Sequence, residues 1–128
     1  MIAVDTSALL ATLLEEPEGP SCIRALEAEP ELLISAGTLA EALIVANRRG
    51  IGEGIRKLLS GLPFQIAPVT PAEARRVADA YRRWGKGFHE AKLNFGDCFA
   101  YALAKERNCP LLYVGNDFSQ TDIVSALT

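Results

Sequence analysis

Four short apolar runs, at residues 1–4, 32–35, 64–68 and 111–114, are spaced along the chain with helical patterns between them. Each is too short for a helix and ends at a turn signal or at the polar start of a helix, so each reads as a strand. Strands alternating with helices imply a mainly parallel sheet with helices on both faces, because parallel neighbours need a long crossover between them. The run at 64–68 is the one placed at an edge, since proline cannot donate to a central ladder and Pro63 and Pro68 border it. A final apolar pair, Ile123-Val124, is a candidate fifth strand.

Helices are expected over about 8–14, 19–29, 38–48, 51–61, 71–84 and 96–107, with a glycine-containing loop over 85–93. The helix at 71–84 is the best marked. Thr70-Pro71-Ala72-Glu73 is a capping sequence with proline at the first helical position, and Ala74, Val77, Ala78 and Tyr81 form one stripe.

At 128 residues, 49% hydrophobic and 23% charged, the chain reads as one domain, 1–128, with a true core. No apolar stretch approaches the roughly 20 residues that span a bilayer. No basic segment precedes the first apolar run, so a signal peptide is not expected and the reading is a cytoplasmic, non-membrane protein. Three cysteines, Cys22, Cys98 and Cys109, form no CxxC pair, and His89 is the single histidine, so a zinc site is excluded. Charge is unevenly distributed: residues 1–47 carry one arginine against eight acids, and residues 48–92 carry ten cations against four acids. A basic middle beside acids suits a polyanionic partner, although solvated helix faces account for such charges too.

The acids themselves stand at junctions. Asp5 closes the first apolar run, Asp97 opens the helix at 96–107, and Asp117 follows the last strand after the turn residues Gly115-Asn116. Glu41 lies in the apolar stretch Leu39 to Val45, where a glutamate is costly to bury without a partner. In a parallel α/β fold the carboxyl ends of the strands converge on one crevice, and carboxylates gathered there repel unless a hard cation joins them. Each acid also has a plainer reading. Asp5 and Asp97 suit helix starts, and Thr38-Leu39-Ala40-Glu41 matches a capping box. Thr6 and Ser7 offer hydroxyls beside Asp5, Asn94 either orients Asp97 or caps its helix, and Asn116 or Asp122 could assist Asp117. No Ser-His-Asp set, GxGxxG or P-loop is present.

The stretches IAVDTSAL (2–9), SAGTLAEAL (35–43), LNFGDCFAYALAK (93–105) and LLYVGNDFSQTDI (111–123) closely resemble the PIN-domain family, in particular its VapC-type toxins of bacterial toxin–antitoxin pairs. The resemblance runs in the family's order over nearly the whole chain. It implies a three-layer α/β/α sandwich with about four or five mainly parallel strands. It further implies a Mg²⁺- or Mn²⁺-dependent endoribonuclease, usually dimeric and held inactive by a cognate antitoxin. The family's acids carry over to Asp5, Glu41, Asp97 and Asp117, with Asp5, Asp97 and Asp117 as metal ligands. The hydroxyl after the first acid carries over to Thr6, and Asn94, Asn116 and Asp122 remain supporting candidates.

The expected chemistry is metal-assisted hydrolysis of RNA phosphodiesters with no protein nucleophile. A Mg²⁺-dependent phosphatase or phosphoacceptor domain also places acids at parallel strand ends, but Asp5 has no second aspartate two residues on and no lysine follows the run at 111–114. A non-catalytic interaction domain would use the acids only as caps. For a dimer, the apolar helices around 39–62 are the expected contact.

Overall fold

The computed structural model describes residues 1–127. A four-stranded, wholly parallel sheet is built from β1 (Ile2–Val4), β2 (Leu32–Ser35), β3 (Phe64–Ala67) and β4 (Leu111–Leu112), in the order β3-β2-β1-β4. β3 is therefore at an edge, as its bordering prolines require. The pleat divides the side chains between two cores. Ile2, Val4, Leu32, Ile34 and Leu112 face one side, and Ala3, Leu33 and Leu111 face the other.

The first face is covered by α1 (Thr6–Leu13), α2 (Gly19–Ala28), α3 (Ala36–Arg48) and α4 (Gly52–Gly61), through Leu9, Leu26, Ala42, Ala46 and Ile55 among others. The second is covered by α5 (Pro71–Trp84) and α6 (Phe95–Arg107), with Val77, Ala80, Trp84 and Leu103 buried. The result is an α/β/α sandwich. α6 is buried almost all round between Asp97 and Ala104, which is why its sequence is apolar on every side until Lys105. No helix among the described residues is long and apolar enough to cross a membrane.

Three differences from the sequence reading have local causes. α3 begins at Ala36 rather than at residue 38, because the Ser35 hydroxyl already accepts from the Gly37 amide and caps the helix. Thr38 is then inside the first turn and fully buried, so Glu41 is not the partner of a capping box. β4 ladders over only two residues, and the candidate fifth strand is reduced to one bridge, Leu111 to Ser125. There Leu111 donates to Val124 O and Ala126 donates to Leu111 O, so the segment lies along the outer side of β4. Leu39, Leu43, Leu58, Leu59 and Leu62 are half-buried against the chain's own core, and Ile44 beside them is exposed.

One buried polar cluster joins the α5–α6 layer. Trp84 Nε1 donates to the Tyr101 hydroxyl at 2.8 Å, and that hydroxyl donates to Asp122 Oδ1 at 2.6 Å. Burial, then Asp122, push the Tyr101 hydroxyl up to about 12, so it keeps its proton. Tyr101→Phe strands the indole N–H and should destabilise the protein by about 1–3 kcal/mol in urea unfolding. An unchanged unfolding midpoint would refute this account of the cluster.

Candidate active site

All four strands point the same way, so their carboxyl ends share one edge of the sheet. Asp5 leaves β1 directly and caps α1. Glu41 projects from the second turn of α3, which follows β2, and Asp97 from the first turn of α6. Asn116 and Asp117 sit on the exposed turn after β4, where Gly115 adopts φ +97°.

Glu41 connects the other acids. Its Oε1 accepts from Thr6 Oγ1 at 2.8 Å, which ties it to the residue after Asp5. On its other side the carboxylate lies over Gly96, beside Asp97. A Cβ at Gly96 would stand 2.1 Å from Glu41 Oε2, so no larger residue fits without moving the glutamate. Asp97 is 7% exposed and is held by a reciprocal pair with Asn94: Asn94 N donates to Asp97 Oδ2 at 3.0 Å, and Asp97 N donates to Asn94 Oδ1 at 2.8 Å. Asn94 therefore caps the helix and orients the carboxylate together. The Asn116 carbonyl accepts from the Ser119 amide and hydroxyl, so its backbone closes the turn that carries Asp117.

Asp122 stands elsewhere, with Tyr101, Lys105 at 3.2 Å and Arg83 at 3.8 Å. Burial alone would raise its pKa, but the bonds from Tyr101 and Lys105 prevail and hold it below the usual carboxylate range. His89 lies exposed on the 85–93 loop, its ring edge-on to Trp84 at 4.7 Å.

Electrostatics show that the remaining acids share one field. Burial, opposed by hydrogen bonds from Ser7, with the charge of Glu41 added, brings Asp5 up to about 6. Burial also raises Asp97, to about 7, against the Asn94 bond and reinforced by the charges of Asp5, Asp117 and Glu41. Ser7 N and Oγ both donate to Asp5 Oδ2, at 3.1 and 2.7 Å. Asp5 Oδ1 is buried with no donor at all.

Among the described residues, no three His, Cys, Asp or Glu side chains are already gathered into a finished coordination set. The donors present nonetheless fit a hard divalent cation. They are carboxylate oxygens, the ionisation of Asp5 and Asp97 is opposed by burial and by neighbouring acids, and one oxygen is buried without a partner.

A family model described as PIN domain matches residues 2–124. The chain belongs to the PIN-domain family. Relatives within this PIN-domain group include ribonuclease VapC30 of Mycobacterium tuberculosis, 39% identical over 97% of each chain. Ribonuclease VapC36 of the same organism is 41% identical over 94% of this chain and 89% of its own. Among solved structures, VapC20 of M. tuberculosis, described as a sarcin–ricin loop cleaving toxin, aligns with a TM-score of 0.80 at 18% identity over 100% of both chains. A toxin–antitoxin complex from Klebsiella pneumoniae aligns with a TM-score of 0.71 at 23% identity over 98% of each. At these identities the two structures speak for the PIN fold alone.

The raised acids predict an unusual pH dependence. A carboxyl with a higher pKa folded than unfolded binds its proton more tightly when folded, so the stability it contributes is present at low pH. That stability is lost as pH rises from the ordinary 3.8 through about 7 for Asp97. In metal-free buffer Asp97→Asn should flatten this decline and melt a few degrees above wild type at pH 8, where about 1 kcal/mol corresponds to roughly 3 °C. Melting curves of the two proteins that run parallel from pH 4 to 8 would count against the shared field.

Proposed function

We propose that this chain is a divalent-metal-dependent endoribonuclease of the VapC type, acting as the toxin of a toxin–antitoxin pair. The observation that carries the reading is the position of Glu41, bonded to Thr6 on the Asp5 side and packed on Gly96 on the Asp97 side. Acids distant in sequence are thereby brought to one edge of the sheet. The relatives named VapC ribonucleases, similar over nearly the full chain, support it from a second direction.

Asp5 through its unpartnered Oδ1, Asp97 and Asp117 would hold Mg²⁺ or Mn²⁺, with Glu41 at their side. When bound, the ion supplies Lewis-acid activation of the scissile phosphate and of a water nucleophile. The protein's own task is positioning: Asn94 fixes the Asp97 carboxylate and Thr6 fixes Glu41. Substrate would be drawn by cations left free. Arg48, Arg49 and Arg56 are exposed and pair with no acid among the described residues, whereas Lys57, Arg76, Arg82 and Arg83 do. Arg48 lies seven residues beyond Glu41, about 10 Å along α3 by helix geometry, within reach of phosphates next to the one cleaved.

The test is cleavage of single-stranded RNA in Mn²⁺ or Mg²⁺. Asp5→Asn and Asp97→Asn should each abolish turnover with the fold retained, and wild-type affinity should fall steeply with salt. Full activity of Asp97→Asn, or of protein stripped of metal, rejects the mechanism. A cognate antitoxin and a homodimer belong to the same proposal. Besides the helices over 39–62, the apolar groove of about 580 Å³ between α5 and α6, bordered by the exposed Phe95 and Val69, offers a surface for a second copy. Sedimentation equilibrium should give twice the 13.8 kDa chain mass, and Phe95→Glu should give one; a wild-type monomer at micromolar concentration refutes the dimer.

A further inference from the structure

Ser7 makes three hydrogen bonds, and two of them are bonds that no helix cap requires. Capping α1 needs only the bond from Ser7 N to Asp5 Oδ2, which an alanine at the same place would also make. The Ser7 hydroxyl adds a second donor to that same oxygen, at 2.7 Å. It also accepts from the Val114 amide at 3.0 Å, across 107 residues of sequence. Val114 follows β4 and leads through Gly115-Asn116 into Asp117. One hydroxyl thus joins the carboxylate at the end of β1 to the backbone that carries the fourth acid.

We propose that Ser7 is the positioning residue of the site: it saturates Oδ2 of Asp5 so that only Oδ1 faces the cation, and it holds the Asp117 turn at the distance that cation needs. This rests on the metal-site reading above and adds to it the residue that sets the geometry. Without the hydroxyl, Asp5 Oδ2 keeps only the Ser7 amide and the Val114 N–H loses its acceptor. The two ligand-bearing segments then lose their side-chain tie and are joined by the β1–β4 backbone ladder alone. RNA contacts along α3 are untouched, so the defect belongs to the metal and not to the substrate.

The experiment titrates the full chain with Mn²⁺ alone by calorimetry, for wild type, Ser7→Ala and Ser7→Thr, after thermal melting has confirmed that each is folded. RNA cleavage is then followed against both Mn²⁺ and RNA concentration. Ser7→Ala is expected to bind Mn²⁺ roughly tenfold more weakly, as the loss of partners behind metal ligands commonly does, and to need proportionally more Mn²⁺ for half-maximal rate. KM for RNA at saturating Mn²⁺ should stay at the wild-type value, and Ser7→Thr, which keeps the hydroxyl, should recover binding. Ser7→Cys, similar in size but a poor donor and acceptor, replaces the alanine variant if that does not fold. Wild-type Mn²⁺ affinity in Ser7→Ala overturns the proposal, as does an equal loss in the alanine and threonine variants. A wild type that binds Mn²⁺ without cutting RNA defeats the nuclease reading while leaving the titration to judge Ser7; a wild type that binds no Mn²⁺ removes both.

Discussion

Parallel strands end on the same edge, and in this molecule that geometry forces like charges together. Asp5 leaves the central strand β1 and cannot avoid the crevice, while α3 and α6 bring Glu41 and Asp97 to it from opposite layers. The energetic cost is visible in the two buried aspartates, both shifted toward the neutral form by burial first and by the charge of neighbouring acids second. A fold selected for stability alone would put leucine or serine at these positions. Relief of that repulsion is what a cation at the proposed metal site would supply.

The supporting polar contacts divide into two sets. Thr6, Ser7, Asn94 and Gly96 touch the acids and fix how they face each other. Trp84, Tyr101, Asp122 and Lys105 form a separate cluster that fastens α6 to α5 and to the chain after β4. Tyr101 lies one helical turn beyond Asp97, so the second set braces the helix on which the first depends.

Much of this architecture is legible in the residues because the signals are local. Thr70-Pro71 starts α5 where it is found, and the apolar runs mark β1 and β2 to within a residue. Where local signals compete, the reading slips. Ser35 looks like the last residue of a strand and is also a helix cap, so local signals place the start of α3 two residues late and offer Glu41 a capping role that it does not have. In the site, the identity of the acids follows from their junction positions, but their couplings do not. Nothing in the sequence announces that Ser7 reaches Val114 or that Glu41 rests on Gly96, because both contacts depend on how separate layers are packed. Asp117 is favoured over Asp122 on paper by its place nearer the strand end, and the bonds of Asp122 to Tyr101 and Lys105 set the two apart in the fold.

The two borders of the sheet are finished differently, and together they govern how the molecule behaves when crowded. Pro63 and Pro68 bracket β3, a strand of four residues, so an incoming strand finds little room to zip onto it. On the opposite border the backbone at Val124 and Ala126 already takes up the hydrogen bonds of Leu111. Edge-to-edge polymerisation, the route by which open sheets become fibrils, is thereby closed from both directions, and association is channelled to side-chain surfaces.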